Sequence, residues 1–168
     1  MMSRVIRLLI RRPAALRSPA SHLAVSLLGV AGAALLAWSG VIHLMLWADG
    51  YKDIPTIGPL FLAQGVGTIV LGLPVAVFRW LALLLAGAVT LAATAVGLLV
   101  SVHVGLLGYK ESLAVPYATL SLQVEFTGAA VLLVGAVLLV LLPSARATDP
   151  AGQRTGNPGN PSRAPFRI

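Results

Sequence analysis

The 168-residue chain contains no cysteine, which removes disulfides, thiolate metal sites and cysteine nucleophiles from any account of it. Charge is nearly as scarce. Asp, Glu, Lys and Arg together make up 10% of the residues, against 58% hydrophobic, and mean hydropathy is +0.92. A soluble domain of this length exposes too large a share of its surface to hide so much apolar side chain. The solvent for most of the chain is lipid. Also missing are a phosphate-binding glycine loop, H-E-x-x-H, G-x-S-x-G and carboxylate pairs at catalytic spacing. Nothing in the sequence points to an enzyme.

What is present is four long apolar runs, at about residues 23–47, 59–78, 80–107 and 117–142. Each reaches the ~20 residues needed to cross a hydrocarbon core as a helix. The first is too long for the apolar region of a cleaved signal peptide, about 7–15 residues, so it is expected to be retained. The expected fold is all-α: an integral membrane four-helix bundle with short loops. It is preceded by a basic amphipathic segment at 1–22, where Arg4, Arg7 and Arg11 recur at helical spacing until Pro13. A Pro-, Gly- and Arg-rich tail at 143–168, with almost nothing to bury, is expected to be disordered.

The net charge of +7 would suggest nucleic acid in a soluble protein, but its distribution argues against that partner. Arg4, Arg7, Arg11, Arg12 and Arg17 precede the first run, Arg79 separates the second from the third, and Arg146, Arg154, Arg163 and Arg167 follow the fourth. Only Lys52 and Lys110 occupy the other two loops. The positive-inside rule then predicts both termini and the Arg79 turn in the cytoplasm, with the chain in a bacterial cytoplasmic membrane. The bilayer is the first expected partner, and a membrane-protein partner or a second copy is a further one. Trp47, Tyr51, Tyr109 and Tyr117 fall at the outer boundary, where aromatic rings favour the headgroup level, and Trp38 is expected buried within span one.

Helices in lipid associate through small residues. Gly29, Ala33, Ala37 and Gly40 share one face of span one, and His43 and Trp47 continue it. Span two offers Gln64 and Thr68. Span three carries Gly87, Thr90, Thr94, Gly97, Ser101 and Gly105, and span four Ser121, Glu125, Gly128 and Gly135. The short Arg79 connection predicts a tight hairpin between spans two and three.

Packing does not explain why His43, Asp49, Asp53, Gln64, His103, Glu111, Gln123 and Glu125 all fall in the outer half or outer loops. That asymmetry predicts a polar cavity facing outward, with His43, Trp47, Gln64, Ser101, His103, Ser121 and Glu125 as candidate lining residues. Glu125, eight residues after Tyr117, should lie about 12 Å below the outer boundary, where an unpaired carboxyl costs about 2.5–3.5 kcal/mol. It should meet His43, Gln64 or Ser101. His43 and His103, at matching depth, are also haem-ligand candidates, although His103 is out of phase with its helix's small-residue stripe. His22 is expected at the inner interface. The loop "DGYKDIPTIGP" should act as an outer cap with a stiff, Pro-set connection.

The stretch "IHLMLWADGYKDIPTIGPLFLAQGV", the "GLLGYKES" loop and an inward Glu in the last span resemble uncharacterised four-span membrane proteins of high-GC Gram-positive bacteria, over about residues 35–130. In layout alone the chain is similar to DoxX-like four-helix membrane proteins, some tied to quinone or redox complexes. These features lead to the expectation of a non-enzymatic binding or accessory protein for a lipid-like or small amphipathic ligand, without a resident cofactor. The alternatives are a DoxX-like protein handling quinone or haem, and a small transporter subunit.

Overall fold

The computed structural model describes residues 2–114 and 116–143. The tail expected to be disordered lies outside them, apart from Pro143. Five α-helices run in order: α1 Met2–Leu9, α2 Pro19–Ala48, α3 Ile57–Phe78, α4 Leu81–His103 and α5 Ala118–Leu141. The last four are each long and apolar enough to cross a membrane. The fold is an all-α bundle of four spanning helices, with α1 as a short additional helix.

Local chemistry sets the helix ends. Pro19 opens α2, where its missing N–H is one of the unpaired donors of a helix start. Gly50, at φ 126°, turns the chain after Ala48. Helix α4 stops four residues earlier than its apolar run suggests. Gly105 takes φ 89°, and its N–H bonds back to the Val100 and Ser101 carbonyls, which closes the helix. A two-residue turn follows, with Leu107 at φ 53° and Gly108 at φ 81° and paired hydrogen bonds between Leu106 and Tyr109. Both positive φ values mark the mirror-image turn favoured in tight hairpins.

Helix α2 packs along both α3 and α5, and α5 packs along α4, so the circuit around the axis is α3–α2–α5–α4. The α3–α4 pair closes it only weakly. Only Arg79 and Trp80 connect these two helices, as tight as expected, yet the helices share the smallest interface of the four neighbouring pairs.

Small residues make the close contacts elsewhere. A Cβ on Gly40 would lie 2.7 Å from the Gly65 carbonyl oxygen, and one on Gly128 would lie 2.5 Å from Leu91 Cδ1. The half of the bundle nearest Arg79 is solid, filled by Val25, Leu36, Val75, Leu84, Leu91, Leu132 and Leu139. The other half holds only a small buried cluster of Ile42, Leu46 and Val124. Trp38, expected inside, is 58% exposed and points outward, because Leu36, Ser39 and Gly40 occupy the inner face of α2 at that level.

The segment after α1 ties the basic end together. Arg11 donates to the Val140 and Leu142 carbonyls at 3.1 and 2.6 Å, capping the end of α5. Its own carbonyl accepts from Leu81 N–H at the start of α4, and Arg17 N–H donates to Pro143.

Candidate functional site

The sparse core at the end away from Arg79 has a direct consequence. Along α4, the residues turned toward α3 at that level are Thr90, Ala93, Thr94, Gly97 and Ser101, none of which fills the space. A Cβ on Gly97 would meet nothing within 4 Å. The result is a cavity of about 510 Å³ between α3 and α4, backed by α2 and α5. Its walls are mainly apolar and include Leu46, Ile57, Phe61, Leu98 and Leu106. Leu60, Val89 and Ala93 line it and are also exposed on the outside of the bundle. The cavity therefore reaches the lipid-facing surface through the gap between α3 and α4.

A buried carboxyl lies at its back. Glu125 on α5 is 0% exposed. Its Oε1 accepts from Ser121 Oγ at 2.9 Å and from Ser39 Oγ at 3.3 Å. His43 Nδ1 lies 2.8 Å from the Ser39 carbonyl, which can only accept, so that nitrogen carries the proton. The opposite ring nitrogen, Nε2, is 4.0 Å from Glu125 Oε1, beyond hydrogen-bond reach. Glu125 Oε2 is enclosed and has no partner. A buried polar atom left in this state costs about 1–3 kcal/mol. On the opposite wall, Gln64 donates to Thr94 Oγ1 across the α3–α4 gap, and Thr94 donates to the Thr90 carbonyl.

The loops close the end away from Arg79. Tyr51, between α2 and α3, donates to Glu111 Oε2 at 2.6 Å, and Ser112 N–H donates to Glu111 Oε1 at 2.9 Å. Glu111 is only 8% exposed. The Tyr51 ring stacks on Phe61 at 4.6 Å and meets Tyr109 edge-on at 5.9 Å. Burial, and then the hydrogen bond to Glu111, raise the Tyr51 phenol above its usual range, so it stays neutral and keeps donating. Thr56, Leu107 and Tyr117, in the same two loops, take positive φ values that cost L residues about 1–2 kcal/mol each. The loops are held in a specific shape over the cavity.

Five of the seven sequence candidates, His43, Gln64, Ser101, Ser121 and Glu125, line this one cavity. Trp47 and His103 do not. His103 is exposed, and its Nδ1 lies 2.8 Å from the Leu99 carbonyl in its own helix. The structure thus does not bring His43 and His103 together across the cavity. Glu125 lies beside His43 without a hydrogen bond to it, and Gln64 pairs with Thr94. Ser39 escaped the sequence reading, although it stands one helical turn before His43. Tyr51 was legible only as part of the loop cap and Glu111 only as a loop carboxylate, since no local pattern joins positions 60 residues apart. Comparisons with protein-family models, with curated proteins and with solved structures found no match.

Proposed function

We propose that this chain is a non-catalytic binding or accessory protein of a bacterial cytoplasmic membrane, with its Arg79 end inside. It takes up a lipid-like molecule with a neutral polar head from the bilayer. The observation that carries this reading is the 510 Å³ apolar-walled cavity open between α3 and α4, with the unpartnered Glu125 Oε2 at its back. At about 30 Å³ per water-sized group the space takes roughly 17 heavy atoms. That suits a headgroup with the first part of a chain, the remainder leaving through the gap into lipid.

Charge selects the head. Among the described residues the lining holds two carboxyls, Glu111 and Glu125, one imidazole and no Lys or Arg. A phosphate there would meet carboxyls and no cation, so neutral hydroxyl or carbonyl heads are favoured. A quinone fits this chemistry and is the redox version of the same reading. All four spanning helices are continuous, so the transporter alternative lacks the broken-helix site that many such proteins use.

Native mass spectrometry from a mild neutral detergent tests the proposal. Wild-type protein should carry one phosphate-free lipid adduct, with occupancy falling in Glu125→Gln and His43→Ala. A phosphate-bearing adduct whose occupancy falls in Glu125→Gln and His43→Ala, or no adduct that responds to those two variants, refutes it.

A further inference from the structure

A second, smaller cavity of about 200 Å³ lies at the opposite end, lined by Arg12, His22, Val77, Phe78 and Arg79 among others. It shares no residue with the first. Among the described residues, no carboxylate neutralises its cations. The acidic residues among the described ones are Asp49, Asp53, Glu111 and Glu125, and none of them lines it.

Arg79 is fixed in place. Its backbone takes φ 49°, the left-handed cap of α3. Its aliphatic stem lies against Gly29, where an added Cβ would come within 2.8 Å of Arg79 Cγ. Nη1 donates to the Ala76 carbonyl at 2.6 Å, while Nε is enclosed and unpartnered. The guanidinium therefore holds a buried donor with no acceptor, an arrangement that costs about 1–3 kcal/mol unless an acceptor arrives. The neighbouring Trp80 packs on Phe78 at 5.1 Å between ring centres, and its Nε1 is likewise enclosed and unpaired. Val77 and Phe78 border the cavity and are exposed on the lipid side, which gives an acyl chain a surface to follow.

From these observations we infer that this pocket binds the phosphate of an anionic phospholipid in the leaflet at the Arg79 end. Arg79 and Arg12 supply charge-assisted donors and His22 a third polar group. At about 30 Å³ per water-sized group the space holds six or seven such groups, enough for a phosphate and its ester atoms. The selectivity is opposite to that of the first cavity, and neither site depends on the other.

The test counts phosphatidylglycerol retained by the full chain in native mass spectrometry, with phosphatidylcholine and inorganic phosphate as parallel probes. Arg79→Gln disturbs a helix cap, so the exposed Arg12→Gln and His22→Gln are measured beside it. Wild type should retain one phosphatidylglycerol in preference to phosphatidylcholine, and Arg12→Gln should bind it about five-fold more weakly, as the loss of one cation at a membrane surface implies. Inorganic phosphate should neither bind measurably nor displace the lipid. Equal retention of both lipids, unchanged binding in Arg12→Gln and Arg79→Gln alike, or binding of free phosphate as tight as that of the lipid would each overturn the assignment. None of these outcomes bears on the neutral-lipid cavity.

Discussion

Gly97 lies on the α4 wall of the large cavity, and a Cβ placed there meets no atom within 4 Å. Replacing it in turn with Ala, Leu and Phe fills the cavity in steps without breaking a hydrogen bond. Leu adds four carbons and Phe seven, which at about 30 Å³ each occupy roughly a quarter and two fifths of the 510 Å³. Removing a helix-interior glycine should itself add up to about 1 kcal/mol of stability. The expected result is therefore a dissociation. Retained lipid falls from Ala to Leu to Phe, while the melting temperature of the detergent-solubilised protein holds or rises. Gly40→Ala serves as the packing control, because its Cβ would be driven to 2.7 Å from the Gly65 carbonyl oxygen, a backbone atom that cannot swing away. That variant should lose about 1–3 kcal/mol of stability. The reasoning fails if Gly97→Phe keeps wild-type lipid occupancy, or if Gly97→Ala destabilises the fold as much as Gly40→Ala does.

Further expected outcomes concern the loops and the buried carboxyl. Tyr51→Phe leaves Glu111 Oε2 without its donor and should cost about 1–3 kcal/mol in thermal unfolding, with faster exchange of bound lipid. The raised Tyr51 phenol binds its proton more tightly folded than unfolded, so its contribution is present below the free tyrosine pKa of about 10 and declines as pH rises past it. A pH series of melting curves should show that decline in wild type and a smaller one in Tyr51→Phe. Leu107→Gly relieves a left-handed backbone at an exposed position and should raise stability by up to about 1 kcal/mol, although a large apolar side chain is lost. Ser39→Ala together with Ser121→Ala strips both donors from Glu125 Oε1. The pair should destabilise by more than the sum of the single variants, since either serine alone still serves that oxygen.

Much of the fold was legible because lipid imposes a simple grammar. Four apolar runs suffice to place the helices within a few residues. The end of α4 was misplaced because hydropathy continues through Val104 and Leu107, while the break depends on the backbone freedom of Gly105 and Gly108. Helical phase put Ser121, Glu125, Gly128 and Gly135 on one inward stripe, where all four are buried. The same phase argument marked His103 as out of line. It could not show that α3 and α4, adjacent in sequence, part at the end away from Arg79, because that depends on what α2 and α5 do between them. Nor could it show that the cavity, expected to be polar and to face outward, has mainly apolar walls, is covered by Tyr51 and Glu111 and opens sideways. A pairing across 60 residues leaves no local trace, and one sequence holds no other kind.

The central claim is that a lipid-like molecule occupies the space between α3 and α4, and site-resolved photolabelling in native membranes tests it most directly. A hydroxyl-headed amphiphile carrying a diazirine near its head should label Phe61, Ala93, Gly97 and Leu98 on the cavity walls, in competition with an unlabelled analogue. Labelling spread evenly over outward-facing positions such as Val70, Val96, Leu133 and Leu141, with the cavity walls unmarked, would contradict it.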